Sequence, residues 1–420
     1  MPSSTRTSVE LFTGAGGLAL GVASAGFEHR LLLEFNKHAC STLRENRQTF
    51  GPACQIHEGD VRSFDFTPFA GVDLLAAGAP CQPFSIGGKH RAHADERNLF
   101  PQVFRAQREI RPKVVLIENV RGLLRHNLAE FVEFIELQLA HPSVLPTDPL
   151  DPEGWQAHLP ALRAANQGSN PETFRYVVRK ALLNSANFGV PQRRERVFFV
   201  AFRADLGVEW APPSPTHCQS ALVEAMNVTG DYWRKHGLRT QFQTHVNVIP
   251  TERLPWVTVR DAIAGLPLPK SGKESTEFFN HVGQPGAKSY PGHTGSPLDA
   301  PAKTLKAGVH GVPGGENMLR NPNGTVRYFT VREAARIQTF PDHYVFKGAW
   351  GEAMRQIGNA VPVMLAAAVA KSIRECLDIG TQPRVRLVSS GLVEPRHVGR
   401  RSRTQRESAQ IALLPTAHAL

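Results

Sequence analysis

Over its first 120 residues the chain alternates short apolar runs with helix-like segments, and few folds accept that rhythm. "SVELFT" reads as a strand, followed by "GAGG" and an amphipathic helix from about Leu18 to Ala25. "HRLLLEF" is a second strand, "KHACSTLRENRQTF" a second helix and "CQIHEGDV" a short third strand. "VDLLAAG" and "VVLIENV" are continuous apolar runs bounded by turns, the pattern of strands buried on both faces. Such alternation predicts an α/β fold built on a doubly wound, mostly parallel sheet.

The regularity then weakens. Residues 141 to 175 are rich in proline and acids and read as a surface excursion. "FRYVVRKALLNSANFGVPQRRERVFFVAF" is strand-like at both ends. From 205 to 326 proline, glycine, threonine and histidine dominate, and no helix of convincing length precedes "PWVTVRDAIAGL". Order returns with "RYFTVREAARIQTF" and a small-residue helix, "VPVMLAAAVAKSIRECL". A chain of 420 residues exceeds one typical core. The expected organisation is a first domain over 1–204, a smaller irregular domain over 205–326, a return to the first domain over 327–380, and a tail over 381–420. The tail carries seven arginines and two glutamates without pattern, and is expected to be disordered.

Charge and cysteine usage narrow the class. The 48 lysines and arginines outnumber 37 acids and give a net charge of +11, which favours a polyanionic partner, nucleic acid first. No apolar run reaches 18 residues, so no membrane span is expected, and "MPSSTRTSVELF" lacks the pattern of a signal peptide. The five cysteines (Cys40, Cys54, Cys81, Cys218 and Cys376) are scattered and odd in number. That argues against a disulfide framework or a metal site and for the reducing cytoplasm.

"FTGAGG" lies between the first strand and the first helix, at the sheet edge where open parallel sheets bind ligands. Gly14, Gly16 and Gly17 let the backbone turn tightly and approach a ligand. Glu34 ends the second strand, 20 residues after Gly14, where an acid holds ribose hydroxyls, and Asp60 ends the third. The loop is neither a full GxGxxG nor a phosphate loop. Two acids without a pyrophosphate site tilt toward S-adenosylmethionine; a nicotinamide or flavin cofactor, or plain turn chemistry, are the alternatives.

Cys81, in "GAPCQPFS", follows the fourth strand, and Glu118, in "ENV", belongs to the fifth. Both therefore fall at the cofactor edge. A packed cysteine and a helix-capping acid are the plainer readings of each alone. Together beside a methyl donor they suit a defined reaction. Carbon 5 of cytosine is a poor nucleophile until a thiolate adds to carbon 6, and protonation at ring nitrogen 3 eases that addition. The thiolate is the active form, and nearby positive charge favours it. "PQRRERV" supplies Arg193, Arg194 and Arg196, with Arg194 and Arg196 on one face of a strand.

The chain resembles the DNA (cytosine-5) methyltransferases of bacterial restriction–modification systems. The matching segments run in the family's order: "ELFTGAGG", "EF" at 34 and 35, "GDV", "GAPCQPFS", "ENV", "PQRRERV", "RYFTVREAARIQTFP" and "RQIGNAVP". The resemblance implies an S-adenosylmethionine-dependent methyltransferase fold with 205–326 as the target-recognition domain. It implies Cys81 as nucleophile, Glu118 as the acid at ring nitrogen 3, and Arg196 holding the cytosine with Arg194 nearby. On the cofactor side it implies Phe12 near the adenine, Glu34 on the ribose and Asp60 at the adenine edge. Phe35, Val61, Pro80, Leu99, Asn359 and Val361 complete that pocket. Two departures stand out: Glu10 where many members have aspartate, and Gly87 where some have a serine that fills the gap left by the flipped base.

The expected activity is methylation of a cytosine in a specific duplex DNA sequence, with the base flipped out of the stack and "SIGGKHRAHADERNLF" as a lid. A transfer-RNA methyltransferase and a silent DNA-binding relative are the alternatives. The resemblance further implies a monomer associated with the nucleoid, and a paired restriction endonuclease.

Overall fold

The apolar runs pair into a seven-stranded sheet in the computed structural model, which describes residues 5–80, 99–146, 154–168, 174–240, 251–308 and 314–380. The strands are β1 (Arg6–Leu11), β2 (Phe27–Glu34), β3 (Gln55–Glu58), β4 (Leu74–Ala77), β5 (Val114–Val120), β6 (Tyr176–Asn184) and β7 (Glu195–Arg203). Their order is β3-β2-β1-β4-β5-β7-β6. The first five pair in parallel, and β7 runs antiparallel to both β5 and β6. The order reverses direction between β1 and β4, and that switch point opens a crevice at the carboxyl ends of the strands.

Helices cover both faces: α1 (Gly17–Ser24), α2 (Lys37–Glu45), α3 (Phe100–Ile110), α4 (Ala129–Ala140) and α5 (Gly154–Gln167) from the first part of the chain. The period of two decides which residues face which layer. Leu75, Ala77, Val115 and Ile117 pack in one cluster with Phe104, Phe131 and Phe134. Their neighbours Leu74, Ala76, Val114 and Leu116 pack on the other face with Leu18, Val22 and the last helix. Helix α1 is not amphipathic as expected: Gly17 to Val22 are all buried. A methyl group on Gly21 would meet Ala366 at 2.4 Å, so the helix is wedged between the sheet and the last helix.

The stretch read as a surface excursion holds α5, which packs Trp155, Leu159 and Leu162 into the first cluster despite Pro160 inside it. The region 205–326 contains short elements. They are β8 (His217–Cys218), α6 (Gln219–Asn227), α7 (Asp231–Lys235), β9 (Leu254–Pro255), α8 (Val259–Ile263), β10 (Ser296–Pro297) and β11 (Met318–Arg320). The nine-residue α6 precedes "PWVTVRDAIAGL" where the sequence suggested no helix. Leu222, Tyr232 and Trp233 form a small core there. Val259, Ala302, Leu305 and Leu319 instead share a cluster with Ala15, Leu43 and Tyr344. β12 (Val326–Tyr328), α9 (Val331–Ile337), α10 (Trp350–Asn359) and α11 (Val363–Gly380) complete the fold. Residues 1–381 make one compact unit; the tail over 382–420 lies outside the described residues.

Candidate active site

The carboxyl edge of the sheet surrounds a cavity of about 440 Å³, within the range of small-molecule sites. Each parallel strand delivers expected groups to it: Phe12 and Gly14 after β1, Glu34 and Phe35 at the end of β2, Asp60 and Val61 after β3, Pro80 after β4, and Glu118 from β5. Gly17, Leu99, Asn359 and Val361 also line it, as do Arg194 and Arg196. Gly16 does not. Its φ of +82° caps α1, and a methyl group there would crowd Tyr344, Leu43 and Phe50. Cys81 and the segment to 98, including Gly87 and most of the expected lid, lie outside the described residues.

The loop after β1 is held from its neighbour strand. The Gly14 N–H donates to Glu34 Oε2 at 2.7 Å, and the Asn36 N–H donates to Oε1 at 2.7 Å. Each carboxylate oxygen retains further accepting capacity for a hydroxyl. Phe12 takes φ +57°, a left-handed conformation uncommon for a bulky residue. Gly17 allows the closest approach: a methyl group there would lie 2.3 Å from the Val361 carbonyl oxygen. Asp60 is gripped by its neighbour, with Arg62 Nε and Nη2 donating to its carboxylate at 2.7 to 3.0 Å. Those bonds hold the carboxyl below the usual range.

The antiparallel run of β7 explains the other wall. It places the start of β7 opposite the end of β5, pairing Val120 with Arg196. Arg196 Nε lies 2.8 Å from Glu118 Oε1, and both side chains are about nine-tenths buried. Loss of solvent pushes the Glu118 carboxyl up, against the pull of Arg196 and Arg194. A carboxyl group of raised affinity for its proton suits a general acid near neutral pH. Arg194 is more deeply buried, and its guanidinium donates to the carbonyls of Leu305 at 2.8 Å and Gly358 at 2.7 Å. It therefore joins three segments far apart in sequence.

Several supporting groups gave no sequence signal of their own. Asn119 Nδ2 donates to the Ala79 carbonyl at 3.2 Å, two residues before Cys81. Gln192 and Gln338 bond through their amides at 3.0 Å, and Gln338 donates on to Ile357 and Ala360. The Tyr344 hydroxyl donates to Ala15 in the glycine loop at 2.8 Å. These contacts span tens to hundreds of residues, so no local pattern announces them. Among the described residues no cluster of side chains could hold a metal ion, and no helix is long and apolar enough to cross a membrane.

The model of the family described as C-5 cytosine-specific DNA methylase matches residues 6–141 and 169–375. The chain is 35% identical over 380 residues to the Type II methyltransferase M.Eco47II of Escherichia coli, covering 89% of this chain and 79% of that protein. It is 32% identical to the Type II methyltransferase M.NgoMIV of Neisseria gonorrhoeae, covering 88% of this chain and 98% of that one. Among solved structures, the Dnmt2 methyltransferase of S. pombe superposes with a TM-score of 0.53 at 17% identity. That match covers 89% of this chain and 99% of the other, a likeness of fold.

Proposed function

The chain belongs to the C-5 cytosine-specific DNA methylases, and on that premise we propose that it methylates carbon 5 of one cytosine within a specific duplex DNA sequence. The observation that carries the reading is Glu118. It is a buried carboxyl with raised proton affinity, paired to Arg196, in the same cavity as the Glu34-anchored glycine loop. Pro80 lines that cavity and Cys81 follows it directly.

S-adenosylmethionine fits the donor set: carboxylates at Glu34 and Asp60 for ribose and adenine, Phe12 and Phe35 for the ring, and Gly14 with open space at its α-carbon. When bound it supplies an electrophilic methyl group. The chain's own residues make the acceptor. The Cys81 thiolate adds to carbon 6, and Glu118 passes a proton to ring nitrogen 3, leaving carbon 5 electron-rich. Arg196 orients Glu118. After transfer a water molecule takes the carbon 5 proton, the electron pair of that bond expels the Cys81 thiolate from carbon 6, and ring nitrogen 3 returns its proton to Glu118. A base stacked in a duplex is out of reach, so the target cytosine flips into the cavity.

Residues 205–326 serve as the target-recognition segment, since the chemistry is complete without them. The relatives are named Type II methyltransferases, which supports an endonuclease partner. The test is Cys81→Ser with labelled methyl groups, offered duplex DNA and transfer RNA in parallel. Wild type should label the duplex only, and the variant should label nothing while still binding S-adenosylmethionine. Variant turnover within about tenfold of wild type, or about 1.4 kcal/mol of barrier, would sink the covalent mechanism.

A further inference from the structure

Tyr290 and His293 form a feature outside the cavity that the mechanism above does not use. Their rings are stacked, with centroids 4.4 Å apart and planes 5° from parallel. A tight turn holds them. The Tyr290 N–H donates to the His293 carbonyl at 3.3 Å, the reverse bond is 2.8 Å, and Gly292 takes φ +81° between them. His293 is buried at 7% exposure, and its Nδ1 has no hydrogen-bond partner. Tyr290 is 55% exposed. One face of the tyrosine ring is thus backed by imidazole and the other is open.

The turn is tied to the start of β7. Lys303 Nζ donates to Thr294 Oγ1 at 3.2 Å, and the Lys303 N–H donates to Ser296 Oγ at 3.0 Å. The next residue, Thr304, donates its hydroxyl to the Arg193 carbonyl at 2.7 Å. Arg193 and Ala302 also share a backbone bond of 2.9 Å. Arg194 and Arg196 follow at once. A fixed aromatic face is therefore tied, through two short links, to the segment that enters β7, whose Arg196 pairs with Glu118.

We propose that Tyr290 is a DNA-contacting residue that stacks its open face on a nucleobase left unstacked when the target cytosine flips out of the duplex. The inference rests on duplex DNA being the substrate. Three observations favour it. A tyrosine ring locked by a partner beneath loses little conformational freedom on binding. A flat face accepts any base that has lost its stacking neighbour, because each then presents a π-surface. Exposed Lys288, two residues upstream, adds charge beside it for a phosphate. Tyr290 is a positioning residue and takes no part in bond making.

The experiment compares wild type with Tyr290→Phe, Tyr290→Ala and Gly292→Ala. Plasmid DNA from a methylation-free host serves for kinetics. A duplex containing the site mapped by bisulfite sequencing serves for binding across a salt series. Tyr290→Ala should weaken duplex binding and raise the KM for DNA about tenfold, with S-adenosylmethionine affinity and Tm unchanged. Tyr290→Phe should restore both. The slope of log affinity against log salt should stay at the wild-type value, since no phosphate contact is lost. Gly292→Ala has open space for its methyl group, so it acts only through the turn and should match Tyr290→Ala. Tyr290→Leu replaces the alanine variant if that one unfolds.

Duplex affinity of Tyr290→Ala within twofold of wild type, a phenylalanine variant as weak as the alanine one, or a changed salt slope would overturn the assignment. If wild type labels no duplex DNA, the functional reading beneath it falls, and the same binding series run on the plasmid DNA still decides the stacking.

Discussion

At the scale of single residues, the raised proton affinity of Glu118 and the lowered one of His29 set two different pH responses. Glu118 acts in turnover. Replacing it by glutamine keeps size and polarity but removes the transferable proton, so kcat should fall by about 10²- to 10⁴-fold while S-adenosylmethionine affinity, measured by titration, is retained. His29 acts in stability. It bridges Ser8 at 3.0 Å and the Ala19 carbonyl at 2.9 Å in the core, and burial lowers its pKa from 6.5 to about 4. The folded state thus prefers the neutral ring, and the unfolded chain takes the proton first. That contribution is present above pH 6.5 and is lost as pH falls toward 4. Between pH 7 and pH 5 its loss should cost about 2 kcal/mol, read as a drop in the urea midpoint. His158 and His217 are shifted the same way, so the diagnostic is the difference from His29→Gln, whose midpoint should fall less.

At the scale of elements, α5 shows most clearly what local pattern conceals. Its Trp155 ring sits 5.2 Å from Phe131 and 5.8 Å from Phe134, and Arg163 grips Glu133 of α4 through two bonds. Trp155→Ala should lower the free energy of unfolding by about 3–5 kcal/mol in urea melts, with kcat within twofold at a permissive temperature. Its flanking prolines and acids, and Pro160 within it, hid the helix. The strands β4 and β5 were legible because residues buried on both faces form continuous apolar runs, whereas β3 has no buried residue. The strands from β8 onward are two or three residues long, too short for any period to show. Gly16 was legible as a required glycine but not for its reason, because the side chain it must spare, Tyr344, lies 328 residues away in sequence.

At the scale of the whole molecule, the proposed reading makes residues 1–204 and 327–380 the scaffold and 205–326 the exchangeable reader, within one compact unit. Replacing 205–326 with the corresponding region of a relative that methylates a different word should transfer that word, scored by bisulfite sequencing. An active chimera that keeps the original word would refute the assignment. The graft must preserve apolar residues at Trp210, Ala302 and Leu305, which belong to the shared clusters. The Arg194 guanidinium, spanning Leu305 of the proposed reader and Gly358 beside the cavity, carries a thermodynamic consequence. DNA that shifts one carbonyl acts on the other through a single planar group. Affinities at the two sites then obey linkage: whatever factor a bound S-adenosyl ligand adds to DNA affinity, DNA must return to that ligand. In Arg194→Lys, one ammonium cannot reproduce the fork. The two affinities, measured each with and without the other ligand, should then become independent of one another.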